Sequence, residues 1–220
     1  MPLPFPSGLY ALCDDGVRPE VPLEEKARLL IAGGVRMLQL RMKHTPSRRA
    51  IEAARSVAGL CRAGGVVCLV NDRVDLALLA GAHGAHVGDA DLPPGDARAL
   101  LGPERLLGVT VRNLKMARAA REAGADYVGL GPIFATLTKV VGAPALGLTG
   151  LSEVAAQSPL PVVAISGIGL ANIEQVAAAG AHGAAVLSDL LLAPDVPERA
   201  LALAQAFERG CRQRSVGPRI

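Results

Sequence analysis

Apolar residues in this chain come in short, nearly unbroken runs separated by longer amphipathic stretches. Eight runs can be read: Leu9–Cys13, Val35–Met42, Val66–Val70, Gly84–Gly88, Leu106–Val111, Asp126–Leu130, Pro161–Ile165 and Gly183–Leu187. Each is mostly Val, Leu, Ile or Ala, the pattern of strands buried on both faces. Between them the spacing predicts helices, among them Leu23–Ala32, Arg48–Ala63, Leu114–Ala123 and Ala171–Ala179. One phrase recurs before the apolar runs, at Ala32-Gly33-Gly34, Ala63-Gly64-Gly65, Ala80-Gly81-Ala82, Ala123-Gly124-Ala125 and Ala179-Gly180-Ala181. It reads as a helix stopped by glycine, which tolerates left-handed backbone, with the chain then entering a strand.

Strand–helix alternation through eight apolar runs, with no Pro/Ser linker, predicts an α/β fold: a single (β/α)8 TIM barrel over residues 1–220. A doubly wound open sheet is the alternative, but no G-x-G-x-x-G follows the first strand. From about Arg209 the chain turns polar, and a disordered tail is expected there.

Composition narrows the picture. Hydrophobic residues make up 50% of the chain but aromatics only 2%, so the core must be built from small aliphatics. A net charge of +3 with acids and bases interspersed argues against nucleic acid or an anionic membrane as partner. The N-terminal MPLPFPSG lacks the pattern of a signal peptide, and no apolar run approaches the ~18 residues of a membrane span. Cys13, Cys61, Cys68 and Cys211 are scattered, as free thiols in a reducing cytoplasm would be. The oligomeric state is left open, a homodimer included.

In a barrel, chemistry sits at the C-terminal ends of the strands. The second strand ends in QLRMK, where Gln39, Arg41 and Lys43 at i, i+2 and i+4 share one face. Two cations at the barrel mouth call for an anion. Asn71 and Asp72 follow the third strand, and Asp89 and Asp91 the fourth. For Asp72 a helix cap is an equal reading, with Asp75 three residues on. Asp72 and Asp91 together suit Mg²⁺, which takes one or two carboxylates and fills its other positions with water and phosphate. The pair His83 and His86 is a poor zinc signal, because it spans a turn and a strand entry; His86 is expected to face the barrel interior. Thr110 ends the fifth strand. The sixth leads into Thr136, Thr138 and Lys139, two hydroxyls and an ammonium in a short loop. After the seventh and eighth come Ser166–Gly169 and Ser188, where barrels usually hold phosphate.

Taken together, QLRMK, NDRVDLAL, GAHGAHVGDADLP, GADYVGLGPIFATLTK, ALGL, PVVAISGIG and GAAVLS resemble the thiamine phosphate synthase family, in its order and spacing along nearly the whole chain. The resemblance implies a barrel joining hydroxymethylpyrimidine diphosphate to a thiazole monophosphate, with Mg²⁺ as cofactor. It implies that Gln39, Leu40, Arg41, Met42, Lys43, Asn71, Thr110 and Lys139 hold the pyrimidine diphosphate, with His86 beside them. Thr136, Leu137, Thr138, Gly167, Leu187 and Ser188 would hold the thiazole phosphate, and Asp72 and Asp91 the metal. Arg41, Lys43, Lys139 and Thr110 would carry the catalysis. Departures from the family pattern are Thr110 for Ser, Asp89 for Gln, Ser166 for Gly and the segment VRNLKMA after the fifth strand. Asp89 is expected to add negative charge near the metal. Two rivals are a thiazole tautomerase of similar sequence, expected to lack the T-x-T-K loop, and a non-catalytic thiamine-precursor binding protein, expected to have lost its metal ligands.

Overall fold

The apolar runs form eight parallel strands in the computed structural model, which describes residues 5–135 and 144–216. They are β1 (Gly8–Asp14), β2 (Met37–Arg41), β3 (Val67–Asn71), β4 (Gly84–Val87), β5 (Leu106–Val111), β6 (Tyr127–Leu130), β7 (Val162–Ala164) and β8 (Gly183–Val186). Each pairs with its neighbours in chain order, and β8 pairs back to β1, so the sheet is the expected closed barrel. The helices are α1 (Leu23–Ala32), α2 (Ser47–Ala63), α3 (Val74–Ala80), α4 (Pro94–Leu101), α5 (Leu114–Glu122), α6 (Gly147–Gln157), α7 (Ile173–Ala178), α8 (Ser188–Leu191) and α9 (Val196–Val216).

Strand alternation divides the apolar side chains into two cores. Ala11, Cys13, Leu38, Leu40, Val70 and Val128 face outward and pack against the helices. Tyr10, Met37, Leu69, Leu106, Tyr127 and Val163 fill the barrel interior. Leu40 is therefore fully buried in the outer layer and Met42 packs against that layer. Their side chains are out of phase with Gln39 and Arg41, so contact with a substrate would be through their backbone.

The N-terminal end of the barrel is sealed. Phe5 stacks on Tyr127 with ring centroids 4.1 Å apart, and its carbonyl meets His182 Nε2 at 3.2 Å. Arg98 bridges the loops at this end, donating to the carbonyls of Gly102, Gly124 and Arg105 and pairing with Asp126 at 2.6 Å. The polar segment from Arg209, expected to be disordered, is helical to Val216. Its side chains reach back to α7, Arg209 Nε and Gln213 Nε2 donating to Glu174 at 3.0 and 2.7 Å.

Candidate active site

Residues ending β1 and β2 build one wall of the barrel mouth. Asp14 and Arg41 are register partners on adjacent strands, and their side chains form an ion pair. Asp14 is held from three further directions. Its Oδ1 accepts from the backbone N–H of Gly16 and Val17 at 2.8 and 2.9 Å. Its own carbonyl accepts from Lys26 Nζ at 2.8 Å, and the same ammonium reaches the Val17 carbonyl at 2.6 Å. Lys26 is almost fully buried, and burial pushes its pKa down while nearby acids oppose the shift. Asp15 organises the next loop, accepting from the N–H groups of Lys43, His44 and Thr45 and from the Thr45 hydroxyl, all at 2.8–3.0 Å. Burial works to raise its pKa, and these bonds outweigh burial and hold it below the ordinary range. Neither Asp14 nor Asp15 was foreseen as part of the site. The available signal was their position directly after an apolar run.

That loop corrects the expected phase of Lys43. The strand stops at Arg41, so only Gln39 and Arg41 share the inward strand face. Lys43 instead leans across to β3 and pairs with Asp72. Asp72 sits in left-handed backbone at φ 63°, where its N–H bonds the His86 carbonyl at 2.7 Å. Its carboxyl lies within hydrogen-bonding reach of Asp91, which also accepts from Gly88 N at 2.8 Å. Burial alone would raise both acids. Hydrogen bonds from Asp91 and Lys43 win at Asp72 and lower it, whereas burial and the bond with Asp72 raise Asp91. Like charges this close oppose each other's ionisation, and a cation between them would relieve that. Two oxygen donors on neighbouring loops could hold a small oxygen-seeking cation. Asp89 does not add an unbalanced charge here: it pairs with Arg112 at the end of β5. Two departures from the family pattern therefore compensate one another.

The cavity inside this wall is lined by Gln39, Arg41, Asn71, His86, Thr110, Gly167, Leu187 and Ser188, all named from sequence. His83 lies apart, its Nδ1 accepting from Cys68 N at 3.0 Å. Thr136, Leu137, Thr138 and Lys139 lie outside the described residues.

The opposite wall is the loop after β7. Ser166 and Gly167 are both left-handed, at φ 76° and 69°. Asn172 staples the loop, donating to the Gly167 carbonyl at 2.9 Å and accepting from Gly169 N at 3.0 Å. Gly167 is required twice over. A Cβ there would lie 2.7 Å from Phe134 Cβ and 2.8 Å from the Ala135 carbonyl, besides adopting an unfavourable φ. Ser166 bears that unfavourable φ, at a cost of roughly 1–2 kcal/mol. Ser166→Gly relieves it, less about 0.5–1 kcal/mol for glycine's extra freedom when unfolded. Calorimetry should show Tm rising by about 1–3 °C; a fall would mean that the serine side chain stabilises the loop.

Comparison with known proteins places this geometry among relatives. A family model described as thiamine monophosphate synthase matches residues 9–190. The thiamine-phosphate synthase of Myxococcus xanthus is 63% identical over 206 residues, covering 94% of each chain. That of Anaeromyxobacter dehalogenans is 50% identical over 193 residues, covering 88% of this chain and 86% of its own. Among solved structures, the thiamine phosphate pyrophosphorylase of Pyrococcus furiosus superposes with a TM-score of 0.84 at 33% identity, covering 92% of this chain and 96% of that one.

Proposed function

The chain belongs to the thiamine monophosphate synthase family and is a transferase of thiamine biosynthesis, and from that premise we propose how its barrel mouth makes thiamine phosphate. Hydroxymethylpyrimidine diphosphate lies against the β2–β5 side, and the thiazole phosphate against the loops after β6, β7 and β8. One observation carries the reading: the eight sequence-named residues from Gln39 to Ser188 converge on a single cavity, with Arg41 lining it and Lys43 and the two acids beside it.

The reaction breaks the carbon–oxygen bond between the pyrimidine methylene and diphosphate, and the aminopyrimidine ring spreads the resulting positive charge. Arg41 and Lys43 stabilise the departing oxygens. They are preorganised by Asp14 and Asp72, so little reorientation is needed as charge develops. Lys139 is assigned the same role and Thr110 donates its hydroxyl. The thiazole nitrogen then attacks the methylene carbon, positioned by its phosphate in the Gly167–Ser188 wall with Thr136 and Thr138. Nitrogen uses its own lone pair and loses no proton, so no protein base is required. Asp72 and Asp91 suit Mg²⁺, because two carboxyl groups within hydrogen-bonding reach, each opposing the other's charge, offer oxygens to a cation. When bound there, Mg²⁺ supplies charge neutralisation for the leaving diphosphate.

The test is diphosphate release from the purified protein, given the pyrimidine diphosphate with or without thiazole phosphate, in Mg²⁺ or chelator. Release that needs both additions, with thiamine phosphate formed in step, is the expected result. Release indifferent to chelator would remove Asp72 and Asp91 from the reading. Among the described residues no helix is long and apolar enough to cross a membrane, so the assay needs no detergent.

A further inference from the structure

A line of hydrogen bonds crosses the barrel interior among residues that line the cavity. Gln39 Nε2 donates to the Tyr10 hydroxyl at 2.9 Å. The Tyr10 and Tyr127 hydroxyls are 2.9 Å apart. Tyr127 meets His86 Nδ1 at 2.9 Å, and His86 Nε2 meets Thr110 Oγ1 at 2.9 Å. These contacts join β1, β2, β4, β5 and β6.

The line has a direction, and Gln39 sets it. Burial raises the pKa of both phenols, so each is neutral and carries one proton. The Tyr10 oxygen accepts from the Gln39 amide, which leaves its proton for Tyr127. Tyr127, accepting that proton and also within reach of the same amide, gives its own to His86. His86 Nδ1 is then an acceptor, so a neutral ring carries its proton on Nε2 and donates to Thr110. Thr110 Oγ1 then accepts from the ring, which leaves its own O–H proton for a partner in the cavity that Thr110 lines. Reversing the Gln39 amide would reverse every step. Thr110 would then give its proton to His86 and have none for a ligand.

Two further observations mark the line as a built feature. The chain has only two tyrosines, and both lie in it. Room for Tyr127 and His86 comes from glycines: a Cβ on Gly108 would run into the Tyr127 ring and His86 Nδ1, and one on Gly129 would lie 3.0 Å from His86 Cε1. Ordinary barrel layers hold branched aliphatics at such positions.

We propose that Tyr10, Tyr127 and His86 form a directional hydrogen-bond chain that holds the Thr110 hydroxyl as an obligate donor into the reaction cavity. His86 and Tyr127 are thus positioning residues acting through Thr110. This inference rests on the proposed reaction for its consequence, since a hydroxyl locked as donor suits an anionic or lone-pair-bearing ligand and disfavours a cationic one.

The tautomer of His86 in the free protein is the first readout. Protein labelled with ¹⁵N-histidine at about pH 8, where an unperturbed ring is neutral, gives long-range correlations for its four histidines; a His86→Asn spectrum assigns the one that matters. A protonated Nε2 and an acceptor Nδ1 are expected. A proton on Nδ1 overturns the proposal, whether or not the protein turns over the substrates named above. The second readout is kinetic. Tyr127→Phe keeps the ring and removes the donor, so kcat should fall about tenfold with KM for thiazole phosphate unchanged. Thr110→Val should cost at least as much, and Thr110→Ser should retain most activity. The double variant Tyr127→Phe/Thr110→Val should be no slower than Thr110→Val alone. Losses that multiply would mean that Tyr127 does not act through Thr110, and the proposal would fall. Should Tyr127→Phe fail to fold, the wild-type tautomer still decides.

Discussion

Asp91→Asn is expected to lower turnover about 100-fold while leaving the metal-free protein at least as stable as the native chain. The two effects have opposite signs because the acid is awkward without a cation and needed with one. Burial and contact with Asp72 raise Asp91 above its ordinary range. In the free protein its ionised form is therefore disfavoured. An asparagine keeps the oxygen that accepts from Gly88 N, so the turn between β4 and α4 persists. Its amide can donate to Asp72. What it cannot do is supply the second negative charge to Mg²⁺. Altering groups that merely support a metal ligand costs about 10–100-fold, and replacing a ligand costs at least the upper part of that range. Thermal unfolding in chelator should show Tm unchanged or higher. Added Mg²⁺ should raise Tm for the native chain and not for the variant, since a ligand stabilises only the state that binds it. Native-like turnover at limiting Mg²⁺ would move the cation elsewhere.

The barrel was legible because strands buried on both faces must be continuously apolar, which the eight runs satisfy. Parity within a strand then found Gln39 and Arg41. It failed at Lys43, because the four hydrogen bonds that Asp15 accepts pull residues 43–45 out of strand geometry. Such a competition between side chain and sheet has no periodic signal. Asp14 was missed for a related reason. It is in phase with Tyr10 and Leu12, but its meaning lies in Arg41 across the sheet, and register is not written in one strand. The same holds for Asp89, whose charge looked unbalanced until Arg112 came beside it. Tyr10 and Tyr127 lie inside apolar runs, where a tyrosine carries no sign of a polar role. Gly108, opposite both His86 and Tyr127 in the ladder, shows that space was cleared for those two rings.

Asp14→Ala should cost both stability and rate, and Asp14→Asn should separate the two. The carboxylate side chain is only 2% exposed and Arg41 is 24% exposed, so the pair is largely desolvated. Removing one partner of a buried pair typically costs about 3–5 kcal/mol because the other charge is stranded. Partial exposure of the guanidinium lowers the expectation here to about 2–3 kcal/mol. Alanine also strands the N–H groups of Gly16 and Val17, which Oδ1 now satisfies. Asparagine can keep that oxygen and lose only the charge facing Arg41, so the share of stability due to those N–H groups should return while the ion pair's share does not. The rate should not return with it. Arg41 lines the cavity through a guanidinium aimed by Asp14, and misplacing a positioning group by about 1 Å can cost 10²-fold. The expected result is a Tm for Asp14→Asn between those of the alanine variant and the native chain, with kcat/KM for the pyrimidine diphosphate about 100-fold down in both variants. Recovery of rate together with stability would mean that the loop's shape, rather than the charge on Asp14, is what aims Arg41 at the leaving diphosphate.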